Sequence, residues 1–176
     1  MTSTLAPTFA VHRVTPEDAA RMRALRLEML ADSPLAFLET LAQAAARPHA
    51  DFRRRIVQAS AGGQLAQFVA DPGPGSGGRL IGHAGGTVLP EEPAATVVFA
   101  VYITPAHRGR GVLASLVDAV AAWSLSLGRR ELMLEVVVGN DRAVRAYERL
   151  GFEDTGVRVP HPVLPGLQEL QMRRRA

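Results

Sequence analysis

The sequence predicts one domain of the α/β (α+β) class, in which a mixed, mostly antiparallel sheet of about six to seven strands is flanked by about four helices. Three observations support this prediction: the order of the predicted elements, the length of the chain, and the lack of an internal repeat or linker. The chain opens with a strand and helices, continues with short strands separated by turn signals, and ends with a strand–helix–strand unit and two further strands. The length of 176 residues suits a single domain, and no internal repeat or linker divides residues 1–176.

Composition excludes several classes of protein. The chain has no cysteine, so it has no disulfide and no thiol nucleophile, and we expect no metal site. Its 20 basic side chains, all arginine, face 17 acidic ones, and the triplets at 53–55 and 173–175 are typical of a solvated surface rather than of a nucleic-acid interface. No secretory N-terminus and no apolar run of about 18 residues is found. These features predict a cytoplasmic protein with no nucleic-acid or membrane partner.

The first predicted elements are a strand and helices. Residues 9–14 alternate as a half-buried strand does. The segment Thr15-Pro16-Glu17-Asp18 has a capping threonine, a proline at the first helical position and an acid at the third, which predicts a helix that ends near Ser33. Residues 35–46 are predicted as helix and loop, and residues 51–61 as a helix ended by a pair of glycines.

Three short strands are predicted next, at residues 65–70, 79–89 and 96–103. The segment 71–78 is rich in glycine and proline and is predicted to be a flexible hairpin loop. Residues 97–103 are apolar throughout, with Tyr102 as the one polar group, which predicts a central strand that is buried on both faces.

The second half of the chain predicts a crossover. Residues 111–127 carry apolar side chains at helical spacing and lead to an apolar strand at 132–138, so this strand runs parallel to the central one. A short helix at 140–150 follows. Two strands, at 152–159 and 167–173, finish the sheet around a proline-rich bend.

The loop at residues 104–114 joins the central strand to the crossover helix. Amides at a helix start are unpaired, and the helix dipole favours negative charge there. Gly109 and Gly111 let a phosphate approach the main chain closely, and Arg108 and Arg110 add matching charge. The loop therefore predicts a pyrophosphate-binding site.

Two other interpretations of this loop stay open. Gly109-x-Gly111-x-x-Ala114 satisfies the dinucleotide fingerprint, and Glu135 lies at about the distance expected of a ribose-binding acid. A polar linker before the first glycine and the lack of further βα units are unlike a dinucleotide-binding domain. The second interpretation is a glycine turn that only eases a tight connection.

A second motif, placed independently, narrows the choice between these interpretations. Residues 140–152 have the pattern Asn-x-x-Ala-x-x-x-Tyr-x-x-Leu-Gly-Phe, and Arg108-x-x-Gly111 has the pattern Arg/Gln-x-x-Gly of a phosphate loop. Together, in this strand order, they resemble the GNAT superfamily of acetyl-CoA-dependent N-acetyltransferases. The resemblance covers residues 9–173, and Leu113 stands where the family has glycine or alanine.

The resemblance implies that acetyl-CoA lies where the two parallel strands separate, beyond Val101 and Val137. Main-chain groups of Val101 and Ile103 would pair with the pantetheine arm, and the loop amides would hold the pyrophosphate. The residues implied in cofactor binding are Val101, Tyr102, Ile103, Arg108, Gly109, Arg110, Gly111, Val112, Leu113, Ala114, Asn140, Ala143 and Tyr147.

The implied reaction is direct attack of an amine on the thioester. Tyr147 would face the sulfur as general acid. Glu135 is the candidate base, acting through water, because it is the one acid inside a buried strand; the alternative is a structural carboxylate paired with an arginine. His83 and Glu39 are secondary candidates.

The acceptor is a primary amine that the sequence does not name. Residues 33–47 and the bend at 160–165 with His161 are predicted to select it, and Glu39 with Glu91 and Glu92 would favour a cationic one. The two alternative functions are a nicotinamide-dependent oxidoreductase and a GNAT-fold module that binds acetyl-CoA without catalysis. A homodimer is the assembly that the resemblance suggests.

Overall fold

The computed structural model describes residues 9–176, whose centre is one seven-stranded sheet. Its strands are β1 (Ala10–Arg13), β2 (Leu65–Asp71), β3 (Gly82–Thr87), β4 (Ala95–Ile103), β5 (Glu131–Val137), β6 (Glu153–Pro160) and β7 (Gln168–Arg175). They lie in the order β1-β2-β3-β4-β5-β7-β6, and only β4 and β5 are parallel neighbours. The predicted mixed sheet with a central parallel pair is confirmed.

The helices are α1 (Ala19–Asp32), α2 (Leu41–Ala46), α3 (His49–Ser60), α4 (Val112–Ser126) and α5 (Asp141–Arg149). A short 3₁₀ turn at Pro16–Asp18 precedes α1, and the Thr15 amide donates to the Asp18 carboxylate at 2.9 Å. The predicted start signal is therefore used, although the first turn is tighter than an α-helix. Thr40 caps α2, because its hydroxyl accepts from the Gln43 amide at 3.2 Å.

Two predictions concern single segments of the chain, residues 71–78 and the N-terminus. The glycine-rich segment 71–78 does connect β2 to β3 and holds a single 3₁₀ turn at Pro74–Ser76; its flexibility stays a prediction. The prediction about a secretory N-terminus falls on residues 1–8, which lie outside the described residues. No helix within residues 9–176 has the length and apolarity that a membrane crossing requires.

Strands β4 and β5 pair only from Ala95 with Glu131 to Val97 with Met133, and then separate. The sequence placed this opening beyond Val101 and Val137, so that position was wrong: the separation begins several residues earlier. The cause is a bulge in β4. His83 pairs with Tyr102 and Gly85 with Phe99, which leaves two residues of β4 opposite one residue of β3.

The bulge also explains a second difference. Ala100 has φ +50°, a left-handed conformation that is unfavourable for a residue with a side chain. Thr96, Val98, Tyr102 and Ile103 are buried, whereas Phe99–Val101 are only half-buried. The prediction that this strand is buried along its whole length was wrong at its middle, because β5 no longer covers it there.

The two faces of the sheet carry separate cores. Helix α4 packs on one face, where Val98, Leu116, Val120 and Leu134 are buried together. Helices α1 and α3 pack on the other face, over Val69. The opening between β4 and β5 therefore connects two faces that are otherwise closed by helices.

Candidate functional site

The loop from β4 to α4 presents main-chain donors. Gly109 and Gly111 have φ +72° and +82°, and a β-carbon at either position would meet no atom within 4 Å. Within residues 9–176 no amide of residues 109–114 donates a backbone hydrogen bond; the first bond of the helix runs from Ser115 to the Gly111 carbonyl, at 3.1 Å. A row of open amides at the positive end of a helix dipole suits an anion such as a pyrophosphate.

Leu113, the departure from the family pattern, does not block this row. Its side chain packs against the core beneath α4 rather than over the loop. Its amide therefore stays available, as the sequence required.

Arg108 is held by the protein itself. Its Nε donates to the Ile103 carbonyl at 3.0 Å, and its guanidinium lies 2.6 Å from the Asp32 carboxylate and 5.8 Å from the Tyr102 ring centre. The hydrogen bond from Arg108 lowers the pKa of Asp32. Arg108 thus takes up one acceptor position of the Ile103 carbonyl, and the pairing of Ile103 main-chain groups with a ligand stays a prediction. Arg110 is exposed beside the open amides.

The opening between β4 and β5 holds a cavity of about 120 Å³. Asn140, Ala143 and Tyr147 of α5 and its cap line it on one face of the sheet, and Phe37 lines it on the other. Its remaining lining residues come mainly from the two strands and β7: Ala36, Val98, Phe99, Ala100, Val101, Leu134, Glu135, Val136, Val137 and Glu169. The predicted residues Val101, Glu135, Asn140, Ala143 and Tyr147 therefore meet at one place.

Tyr147 lies at the α5 side of this cavity. Its ring packs edge-on against Phe152, with ring centres 5.7 Å apart. Burial raises the pKa of the Tyr147 phenol above its ordinary value of 10, so the hydroxyl is protonated throughout the neutral range. The side chain of Asn140 accepts from the Ala143 amide at 3.3 Å and so fixes the start of α5. Asn140 is thus both a helix cap and a lining residue.

Two carboxylates lie on the opposite side. Strand register puts Glu169 beside Val137 and places it on the same sheet face as Glu135. Glu135 is, as predicted, the one acid inside a largely buried strand, but its side chain is exposed and lines the gap. It is Glu169 that is buried. Burial, and then the neighbouring Glu135 carboxylate and a hydrogen bond to it, raise the pKa of Glu169.

His161 lies behind this carboxylate pair. Its Nδ1 accepts from the amides of Val163 and Leu164 at 3.2 and 3.0 Å, so the proton of the neutral ring is on Nε2, which lies 4.0 Å from Glu169. The ring is buried and shapes the bend between β6 and β7. Within the part of the chain that the structure describes, Glu135 forms no ion pair with an arginine. The alternative that Glu135 is a structural carboxylate paired with an arginine is therefore not supported.

The secondary base candidates lie elsewhere. Burial lowers the pKa of His83 to about 4, and its Nδ1 is 2.6 Å from the Ala100 carbonyl. Glu39 bonds to Arg26 at 3.0 Å and to Arg47; burial opposes ionisation, but these hydrogen bonds hold the pKa of Glu39 below its ordinary value. Neither group has the basicity that a general base at neutral pH needs.

The segment predicted to select the acceptor does border the opening. Residues 33–36 form one wall of a groove of about 480 Å³, and residues 137–140 with Leu167 form the other. Sequence reasoning missed Glu169 and Phe99, whereas Phe37 falls within the predicted acceptor segment 33–47. The alternation of side chains along β7 could have shown which residues of that strand share a sheet face with Glu169. Only the sheet order reveals that β7 pairs with β5.

Comparison with known proteins agrees with this geometry. The model of the Acetyltransferase (GNAT) family matches residues 33–152. A Mus musculus protein, N-acetyltransferase family 8 member 5, is 29% identical over 135 residues, which cover 75% of this chain and 55% of that protein. The chain thus spans about half the length of this curated relative.

Two solved structures show the same fold. A GNAT-family acetyltransferase from Streptococcus pneumoniae aligns with a TM-score of 0.76 at 17% identity and covers 96% of this chain and 99% of that one. The structure of yncA from Salmonella typhimurium with its cofactor acetyl-CoA aligns with a TM-score of 0.68 at 16% identity and covers 95% of this chain and 93% of that one.

Proposed function

This chain belongs to the Acetyltransferase (GNAT) family, and from that premise we propose that it transfers the acetyl group of acetyl-CoA to a primary amine. One observation carries the proposal. The open amides of residues 109–114 and the gap between β4 and β5 both lie at the carboxyl end of β4, so one extended ligand could reach both. A small amine or a peptide N-terminus would be the acceptor.

The residues present fit acetyl-CoA. The amides of residues 109–114 would hold the pyrophosphate. Arg110 would add positive charge there, because the guanidinium of Arg108 is already paired with the Asp32 carboxylate. Val101, Asn140 and Ala143 would line the pantetheine arm. When bound, acetyl-CoA supplies an activated acetyl thioester. The chain supplies the rest: it places an amine at the gap, removes its proton and protonates the departing thiolate.

The carboxylate pair would remove the proton. An alkylammonium has a pKa near 10, so it must lose a proton before its nitrogen can attack. Glu135 is open to the acceptor side, and the raised pKa of Glu169 makes that carboxylate a better base than an ordinary glutamate. We assign proton removal to the pair, either directly or through a water.

Tyr147 would complete the reaction on the other face of the sheet. As the new N–C bond formed and the C–S bond of the thioester broke, the phenol would give its proton to the departing sulfur. The raised pKa of Tyr147 keeps that proton in place until the thiolate develops.

The two alternative functions require different structural features. A nicotinamide-dependent oxidoreductase of the dinucleotide-binding type has a parallel sheet, whereas β4 here is antiparallel to β3. A non-catalytic acetyl-CoA sensor would share the loop but would not need Tyr147 facing a carboxylate pair across the gap. A homodimer and a cytoplasmic location stay predictions.

Thermal unfolding with acetyl-CoA, with NADH as the matched control, tests the proposal. A ligand at 100 times its dissociation constant stabilises a protein by about 2.7 kcal/mol, or roughly 5–10 °C for a domain of this size. We expect a shift with acetyl-CoA only. A shift with NADH alone would contradict the proposal, and acetyl-CoA binding without thiol release across a panel of amines would favour the sensor.

A further inference from the structure

A second cavity, of about 160 Å³, lies beside the gap on the face covered by α1 and α3. We call it the side cavity. Its apolar walls are Met22 and Met29 of α1, Phe52 and Ile56 of α3, and Phe99 of β4. Phe99 and Ala100 line both the side cavity and the gap. A ligand whose amine lies at the gap could therefore extend past these two residues into the side cavity.

The inner end of the side cavity holds an unused hydrogen-bond acceptor. His83 lines it and is only 2% exposed. A carbonyl oxygen can only accept, so the bond from Nδ1 to the Ala100 carbonyl fixes the ring proton on Nδ1 and leaves Nε2 as an acceptor. Within residues 9–176 that buried Nε2 has no partner. A buried polar atom is normally satisfied, so a ligand N–H or O–H belongs there.

The outer end is positively charged. Arg26, Arg47 and Arg55 line it, and Glu39 is the one carboxylate among the lining residues. The same four residues also line an outer depression of about 430 Å³ that leads to the surface. Arg26 and Arg47 both bond to Glu39, so one carboxylate offsets only one of these cations. Glu39 is therefore a neutralised carboxylate rather than a free negative charge, and its expected preference for a cationic acceptor stays a prediction.

Donors remain available for an anion. Arg47 uses one N–H in its bond to Glu39, and its guanidinium lies 5.2 Å from the centre of the Phe52 ring, which holds it in place. Arg55 is exposed and makes no side-chain hydrogen bond or ion pair with any residue from 9 to 176. A guanidinium group has five donors in a planar fork that matches a carboxylate.

We infer that the acceptor is a short, peptide-like zwitterion: a primary amine at one end, a carboxylate at the other and an N–H or O–H donor between them. The ammonium end meets Glu135 and Glu169 at the gap, the central donor meets His83 Nε2, and the carboxylate meets Arg47 and Arg55. This inference rests on the proposed acetyl transfer, because it names the class of amine that the same site takes.

Three probes of equal length separate these contacts. Glycylglycine has all three groups, glycylglycinamide lacks the carboxylate, and 5-aminopentanoate lacks the central N–H. Binding of each is measured by calorimetry on the full chain in the presence of CoA, and acetyl transfer is measured separately as thiol release from acetyl-CoA. We expect glycylglycine to bind at least about tenfold more tightly than glycylglycinamide, since bonds to charged groups are the stronger ones. 5-Aminopentanoate should fall between them.

Adjacent arginines on α3 provide a matched pair of variants. Arg55→Gln removes a lining donor, whereas Arg54→Gln changes an exposed neighbour that pairs with Asp51 outside the cavity. Both are surface changes with little cost to folding. Arg55→Gln should reduce the preference for the carboxylate severalfold, and Arg54→Gln should leave it unchanged.

The outcomes separate the two proposals. Carboxylate-dependent binding without thiol release supports the class of ligand that the site takes and contradicts acetyl transfer. Thiol release that is equal for glycylglycine and glycylglycinamide supports acetyl transfer and overturns the inference. Failure of all three probes to bind at millimolar concentration overturns the inference as well, as does an equal loss of the preference in both arginine variants.

Discussion

The loop before α4 and the side cavity would recognise their ligands by opposite means. The loop offers main-chain amides, and its two glycines matter because they lack side chains. The side cavity offers side chains from α1, α3, β3 and β4 and from the segment between α1 and α3. One site is a short continuous stretch of chain, and the other exists only when distant elements pack together.

This difference indicates which of the two sites would determine specificity for the acceptor. A pyrophosphate needs only donors and a helix dipole, so many sequences satisfy it with the same small motif. An acceptor is distinguished by charge and shape, which individual side chains supply. Between the two sites, the gap brings Tyr147 and the carboxylate pair to opposite faces of the sheet.

The largest effect should come from the gap itself. Tyr147→Phe removes one oxygen and keeps the ring contact with Phe152, so we expect kcat to fall by about 10²- to 10³-fold while acetyl-CoA affinity stays unchanged. Steady-state kinetics together with calorimetry would check this. Unchanged turnover across the pH range would remove the acid role from Tyr147.

A smaller loss should follow from the acceptor side. Glu169→Gln should lower turnover roughly 10- to 100-fold at neutral pH, because a carboxylate with a raised pKa is lost from the pair. The same change should raise stability at neutral pH. The native pKa of Glu169 lies above its ordinary value of 4.5, so ionising it costs stability once the pH exceeds that native pKa, and glutamine avoids the cost.

Denaturation curves at two pH values test this sign. The stability gain of Glu169→Gln should disappear below about pH 4, where the carboxyl is protonated in both states. Glu153→Gln, on the exposed edge strand β6, is the control and should change neither turnover nor the pH dependence. A variant that is less stable than the wild type at neutral pH would show that the carboxylate is structural.

The smallest effect should appear in the loop. Gly111 precedes α4 and Gly128 follows it, and the two glycines have similar backbone angles, φ +82° and +74°. The matched variants are Gly111→Ala and Gly128→Ala. Each should cost about 1–2 kcal/mol in the free energy of unfolding, because alanine is strained there. Only Gly111→Ala should weaken acetyl-CoA binding, by about tenfold. Equal affinities in the two variants would mean that the loop backbone does not contact the ligand.

Much of the fold could be predicted from the sequence because its signals are local. The central strand, the amphipathic α4 and the capped α5 depend on apolar spacing and on end residues such as Asn140, and the crossover rule then makes β4 and β5 parallel. The glycine loop before α4 belongs to the same class, since the positive φ angles of Gly109 and Gly111 are a property of their own backbone.

The rest was decided by tertiary structure. The left-handed Ala100 has no sequence signal, yet its bulge moves the start of the gap and turns its carbonyl toward His83. Glu169 meets Glu135 only because β7 enters the sheet between β5 and β6. Glu39 changes from an attractive charge to a neutralised one through Arg26 and Arg47.

The sequence by itself therefore determined the family, the strand order around the crossover and the position of the glycine loop before α4. It did not determine which charges face the acceptor. The physical reason is that hydrophobic periodicity and backbone conformation act over a few residues, whereas burial and charge pairing depend on the neighbours that the whole sheet supplies.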